Sequence, residues 1–297
     1  MLYGSIKNDF NILGYIPKRI ELIFTGVIIF TFVELLLFPR SSRKMVEGLG
    51  FQFFLSMRDF MKQSVKSTRR MEEYVKESTN STKYAHALFD EIDDPFHLKK
   101  LADCHKKLSV QSAKLKKELN SALAEPNVGL ALPLHPESFR GLVAEQANCE
   151  MQAIMLMDAL EKLGGYYQEE GHPIRELNWP HVHKEILEDA ACTTDRICEW
   201  LKDVYRDGRI RSQNGNSVKA VVAAASFRAF EDVRLRIIAT WSSNYQYFIS
   251  YNGFERSDPV AIMTLGITTT SILELCRHMQ KAGEHLEEIA YRYPTSK

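Results

Sequence analysis

A chain of 297 residues with 45% hydrophobic and 26% charged side chains can bury a sizeable core in one or two domains, which argues against disorder over most of its length. Lysine plus arginine equal aspartate plus glutamate at 38 each, so no basic excess points to nucleic acid, and no zinc-finger or RNA-binding pattern occurs. The five cysteines, Cys104, Cys149, Cys192, Cys198 and Cys276, are odd in number and form no CxxC pair, which suits a reducing compartment.

After a short N-terminal segment, residues 1–19, comes the most apolar run near the start of the chain, Ile20 to Phe38, IELIFTGVIIFTFVELLLF. Its nineteen residues hold only two carboxylates. At 1.5 Å per residue it nearly covers a hydrocarbon core of about 30 Å. A cleaved signal peptide is the competing reading. The run is longer than a typical signal core of about 7 to 15 residues, and the following Pro39-Arg40-Ser41-Ser42-Arg43-Lys44 is no small-residue cleavage site. A retained transmembrane helix is the expectation.

Lys7, Lys18 and Arg19 precede the span and Arg40, Arg43, Lys44 and Arg58 follow it, a slim bias that favours a cytosolic C-terminus. Between Arg40 and Lys76 there are nine basic and four acidic residues. Such a segment is either drawn to anionic lipid, with Arg40, Arg43 and Lys44 at the membrane surface, or is a solvated helix face. Within the span, Thr31 and Glu34 are three residues apart and share a helical side. A carboxylate at the bilayer centre costs about 2.5 to 3.5 kcal/mol, so Glu34 either faces a partner helix or a transport path, or snorkels to the interface or takes up a proton. Glu21 is interfacial, and Gly26 without a GxxxG pattern is a weak helix-contact signal.

Residues 39–95 read as a basic juxtamembrane helix and linker, and 96–297 as a cytosolic helical bundle. No stretch after Phe38 approaches a second span. The spacing predicts helices over Lys44 to Ser78, Phe96 to Ala124, Glu137 to Tyr167, His181 to Asp207, Ser217 to Ser250 and Val260 to Tyr293, with no strand signal. The fold class is therefore all-α, one transmembrane helix followed by an antiparallel bundle. Leu98, Leu101, His105, Leu108, Ser112, Leu115, Leu119 and Ala122 form an unbroken 3,4 stripe that demands a packing partner. A coiled coil between chains and a bundle within the chain both satisfy it, and the other amphipathic helices favour the bundle. Asp93-Asp94-Pro95, Pro136 and Ser257-Asp258-Pro259 are helix starts, whereas Gly164-Gly165, Asp207-Gly208 and Gly215 end or separate helices. The loop from Glu125 to Pro136 is apolar enough to pack on the bundle.

Chemistry is sparse. His181-x-His183, with His172 and Glu185 near, is the best metal-like cluster, but residues two apart diverge on a helix and a solvated turn is the better reading. Cys104-His105 and Cys276-x-His278 can be drawn as nucleophile and base, yet no third group completes either, and buried cysteine is preferred. No glycine-rich phosphate loop occurs. Trp241, Tyr245, Tyr247, Phe248 and Tyr251 crowd one helix end and suit a core. No catalytic group, metal or cofactor is assigned.

The stretches ELLLFPRSSR (Glu34 to Arg43) and KLKKELNSALAEPNVGLALPLHPESFRGLVAEQ (Lys114 to Gln146) resemble the fusaric acid resistance, or aromatic acid exporter, superfamily. The likeness is strongest to its plant p-hydroxybenzoate-efflux-like members and extends distantly to the aluminium-activated malate transporters. Glu125-Pro126-Asn127 and Leu132-Pro133-Leu134-His135 match the "EPNF…LPFH" segment of those proteins. The resemblance implies export of small organic, aromatic anions by an integral membrane protein. Those proteins carry several membrane helices before a cytosolic helical region, and this chain has one. It maps onto the last membrane helix and the tail, as a truncated gene product, a split subunit or a degenerate homologue. Other transmembrane helices or subunits, in a homo- or hetero-oligomer, are then its expected partners. A membrane-tethered scaffold or regulatory protein without transport is the alternative.

Overall fold

The computed structural model describes residues 12–37, 42–80, 94–124, 136–169, 172, 174, 179–205, scattered positions between 231 and 243, and 259–291. Every element among them is helical. We number the helices α1 (Ile12–Leu37), α2 (Ser42–Asn80), α3 (Leu98–Ala124), α4 (Pro136–Gln168), α5 (Trp179–Tyr205) and α6 (Pro259–Tyr291). Helical turns also occur between 231 and 243; the rest of the helix expected over Ser217 to Ser250 lies outside the described residues.

The chain divides into two units, Met1–Ser41, which holds α1, and Ser42–Lys297, which holds the bundle. The bundle contains α2, which covers most of the segment expected to be a juxtamembrane helix and linker. α2 buries Phe53, Phe54, Met57, Phe60 and Met61 against its neighbours and packs on α3, α5 and α4, so the boundary drawn at residues 95/96 is not a boundary in packing. Three basic residues of α2 are paired at the bundle surface: Lys62 Nζ lies 2.8 Å from Asp195, Arg69 2.9 Å from Glu188, and Lys76 2.6 Å from Glu72 of its own helix.

Helix starts follow side-chain chemistry. Asp94 accepts from the backbone N–H of Leu98 at 2.6 Å and of Lys99 at 3.1 Å, satisfying two donors that an α-helix leaves open at its first turn. His97, between cap and helix, takes a left-handed φ of 58° to bring these groups together. α4 and α6 each begin on a proline, Pro136 and Pro259, whose missing N–H costs nothing there.

The α3 stripe packs within the chain: Leu101, Leu108, Leu115, Leu119 and Ala122 are buried, facing α2 and α4. Each buried leucine contributes about 1.5 to 3 kcal/mol of apolar transfer. α4 and α6 form the most extensive helix pair, and they run antiparallel, because Ser138 donates to Glu288 at 2.8 Å while Glu145 meets His278 at 2.6 Å. α2 and α5 are antiparallel by the same reasoning from Lys62–Asp195 and Lys184–Glu72.

Among the described residues Pro259–His285, 27 residues with mean hydropathy 1.5, is long and apolar enough to cross a membrane by length and composition. This corrects the expectation that nothing after Phe38 approaches a second span. The reason is position: half of that stretch is buried, and a helix with neighbours on several sides carries few charges. Gly164-Gly165 also departs from expectation, since α4 continues through both to Gln168. A Cβ on Gly164 would lie 3.0 Å from the ring of Phe96, which stands edge-on to Tyr74 with centroids 5.5 Å apart. Gly164→Val is therefore expected to overpack this contact and destabilise the bundle by about 1–3 kcal/mol, read as a lowered unfolding midpoint.

The buried core of α2, α5 and α6 is rich in hydroxyls. Ser64, Thr68, Thr194, Thr268 and Thr269 are buried, and each donates to the carbonyl four residues back in its own helix at 2.8–3.1 Å. Their polarity is thus satisfied locally, and their small side chains let the helices approach.

Candidate functional site

α1 is 26 residues long and contains the residues singled out for the membrane. Every described side chain from Pro17 to Phe30, and Phe32, is exposed, with Leu22 at 75% and Phe30 at 66%. At about 100° per residue, Ile20, Leu22, Ile23, Phe24 and Ile28 point to all sides of the helix. Thr25 shows how a hydroxyl is accommodated there: its Oγ1 donates to the Glu21 carbonyl at 2.8 Å. Thr31 and Glu34 fall in the same helix and Arg43 and Lys44 in the first turn of α2, but their side chains lie outside the described residues, as does Arg40 altogether. The Glu125-Pro126-Asn127 and Leu132-Pro133-Leu134-His135 segments also lie outside them, and with them the apolar loop.

In the bundle the most concentrated polar chemistry surrounds Glu72, which the sequence reading did not single out. Glu72 lies in the buried register of α2 with Thr68, Met71 and Val75, and its side chain is 4% exposed. Lys76 Nζ donates to its Oε1 at 2.6 Å, Lys184 Nζ to its Oε2 at 2.7 Å, and His181 Nδ1 lies 3.1 Å from Oε1. His181 Nε2 also meets Glu185 at 3.1 Å. Burial alone would raise the Glu72 carboxyl, but hydrogen bonds and charge from Lys184 and Lys76 outweigh it and lower the pKa to about 2. A carboxylate in the 3,4 register of Met61, Val65, Thr68 and Val75, a face without other charge, was the signal that could have found it.

His181 and His183 do diverge, as their spacing predicts, but they sit in the first turns of α5 and not in a solvated turn. His183 is 1% exposed, its Nε2 is 3.1 Å from Thr269 Oγ1 on α6, and its ring lies beside Trp179 with centroids 5.8 Å apart. Burial lowers its pKa to about 4. Trp179 in turn packs on Trp241 at 5.0 Å. Next to Trp241 is a shallow hollow of about 210 Å³, lined by Ile238, Thr269, Thr270 and Leu273. Tyr245, Tyr247, Phe248 and Tyr251 lie outside the described residues.

The Cys and His pairs do not come together as nucleophile and base. Cys276 is fully buried, whereas His278 turns to Glu145 on α4 at 2.6 Å, with Glu274 at 3.7 Å. Burial raises the Cys104 thiol and, more strongly, that of Cys149, which keeps both protonated and poorly nucleophilic at neutral pH. Among the described residues no group of three metal-ligating side chains converges. No family model matches the chain, and no curated protein or solved structure matches it either.

Proposed function

We propose that this chain is a membrane-anchored helical module whose N-terminal helix joins other membrane helices, as the C-terminal part or a subunit of an integral membrane exporter of small organic, aromatic anions. The observation that carries the membrane reading is the circumference of α1, apolar and exposed on every side. A helix with one apolar stripe packs on a core in water; a helix apolar all round rests in hydrocarbon or inside a larger bundle. The helical part of the apolar run, Ile20 to Leu37, rises about 27 Å, close to the hydrocarbon thickness. In the sequence Lys18 and Arg19 precede that run and Arg40, Arg43 and Lys44 follow it, basic residues suited to headgroups and anionic lipid.

The transport half of the reading rests on the resemblance of Lys114 to Gln146 and on Glu34. An intramembrane carboxylate repels an anion, so Glu34 serves proton coupling or helix pairing, with Thr31 beside it, and not substrate binding. The alternative, a tethered scaffold without transport, is favoured by a bundle that closes its own apolar core around α2 and by basic residues already engaged in ion pairs.

Flux decides between them. Vesicles holding the assembled complex are expected to export an aromatic acid, and Glu34→Gln is expected to lower that flux or the recovery of the complex. Unchanged transport and assembly in Glu34→Gln removes the role of Glu34, and absence of flux in every preparation leaves the scaffold. Topology is read at Asn80-Ser81-Thr82, a sequon at the end of α2. A cytosolic bundle leaves it unmodified, and a glycosidase-sensitive mobility shift would reverse the orientation.

A further inference from the structure

α3 buries its leucines and turns its lysines outward. Its 27 residues hold seven lysines and two carboxylates, a net charge of +5 in a chain whose total is zero. Lys99, Lys106 and Lys117 are seven and eleven residues apart, close to two and three turns, so they fall on one line of the helix. Lys100, Lys107 and Lys114, seven apart, fall on a second line beside it, and Lys116 stands at a flank. All seven are exposed, and from Lys100 to Lys117 none forms an ion pair with another described residue. Against them stand Asp103, exposed on the same face, and Glu118, half-buried at its edge. Val110, 47% exposed, lies between the two lines.

The neighbouring surfaces do not share this excess. α4 exposes Glu137, Asp158 and Glu161, with Glu150 half-exposed, against Arg140 and Lys162. Near Cys104 of α3, α2 adds Lys66 and Asp59, the latter paired with Arg58. The positive potential is therefore concentrated over α3 itself, along a stripe about 27 Å long from Lys99 to Lys117.

We propose that the lysine face of α3 docks on an anionic bilayer surface, against the headgroups of acidic phospholipids. Charge complementarity sets the sign of the partner, and the kind of cation sets its class. α3 contains no arginine and no aromatic residue. Arginine forks and stacking rings are the groups that grip nucleic acid phosphates and bases, whereas lysines are point charges on flexible stems, suited to the diffuse charge of a headgroup layer. Their stems lie along apolar surface while the ammonium groups reach outward, which leaves Val110 free to meet the interface. The inference rests on the membrane reading of α1 in one respect: an inserted α1 keeps α3 of the same chain at high local concentration near lipid, so that individually weak attractions suffice.

The test uses the full-length chain in a Cys104→Ser/Cys192→Ser background with Val110→Cys carrying a polarity-sensitive fluorophore. The chain is reconstituted into vesicles of phosphatidylcholine alone or mixed with phosphatidylserine, and resistance to carbonate extraction reports separately on α1. The label is expected to shift to the blue only in the phosphatidylserine vesicles and to revert in high salt. Lys106→Glu/Lys107→Glu is expected to lower the ratio of docked to undocked bundle by more than about tenfold. The same label at Met151→Cys on α4 is expected not to respond. Far-UV circular dichroism checks that these surface variants remain folded. A salt-sensitive shift in chains that carbonate extracts supports docking by α3 and removes the anchor instead. No shift with phosphatidylserine, an equal shift in both lipids, or a shift indifferent to Lys106→Glu/Lys107→Glu overturns the proposal. So does a shift produced by duplex DNA or polyglutamate but not by phosphatidylserine, because that assigns the face to a soluble polyanion.

Discussion

Glu72→Ala is expected to lower the free energy of unfolding by about 3 kcal/mol, a large fraction of the stability of a typical domain. The carboxylate is nearly inaccessible and holds Lys184 of α5 and Lys76 of its own helix at 2.7 and 2.6 Å. Removing it leaves Lys184, only 17% exposed, with its charge unopposed at the α2–α5 seam. Denaturant unfolding followed by circular dichroism measures the loss. Glu72→Gln keeps the shape and part of the hydrogen bonding, so its cost should be smaller. Equal costs for the two variants would mean that packing and not charge is at stake, and a loss below about 0.5 kcal/mol for Glu72→Ala would mean the network contributes little.

Acid should weaken the bundle in two stages. His183 is neutral in the folded state down to about pH 4, whereas the unfolded chain takes up the proton near 6.5. The unfolded state therefore binds more protons in that window, and stability falls as pH drops from about 6.5 to 4, by about 3 kcal/mol in total. Charging the ring in place would put a cation in a fully buried site beside Trp179, against the Thr269 hydroxyl. Glu72 adds the second stage: its contribution is complete above the ordinary carboxyl pKa of 4.5 and is lost as pH falls toward 2. Unfolding free energies measured across this range should show both slopes. His183→Gln is expected to flatten the upper one alone, and an unchanged upper slope in that variant would assign the transition to another group.

Much of the bundle was legible in the chain. The starts of α3, α4 and α6 were readable because Asp94, Pro136 and Pro259 act locally, through one carboxylate and two missing N–H groups. The Leu98 to Ala122 stripe was readable as a helix face, although its periodicity does not say which neighbour covers it. For the same reason α2 read as a separate basic segment: the amphipathic pattern carries no address, and only the packing shows that Lys62 and Arg69 reach Asp195 and Glu188 of α5. Gly164 looked like a stop, because a glycine used for close approach to Phe96 has the same letter as one used to end a helix. The hydropathy of Pro259–His285 reflects neighbours on several sides, which a single sequence cannot display.

The candidate site divides similarly. Exposure all round the described part of α1 accords with its composition, while the side chains of Thr31 and Glu34 lie outside the described residues. Glu72 and Lys184 carry no local signal, and His183 reads only as half of a histidine pair, because their meaning depends on residues more than eighty positions away.

The hydroxyls of the α2–α5–α6 core have one more effect. The bonds they make to carbonyls of their own helices do not distinguish one turn of a neighbour from the next, and only Thr194, 3.1 Å from Met61 Sδ, and Thr269, 3.1 Å from His183, also reach across to another described helix. The polar part of the alignment of α2 with α5 and of α4 with α6 is written mostly in a few crosslinks between side chains, three of them at Glu72, Asp195 and Glu145. A chain stripped of those three carboxylates would keep its helices and its apolar interior yet lose its indexing. It would be a bundle free to slip by a turn, like a zip whose teeth are intact but whose starting pin is gone.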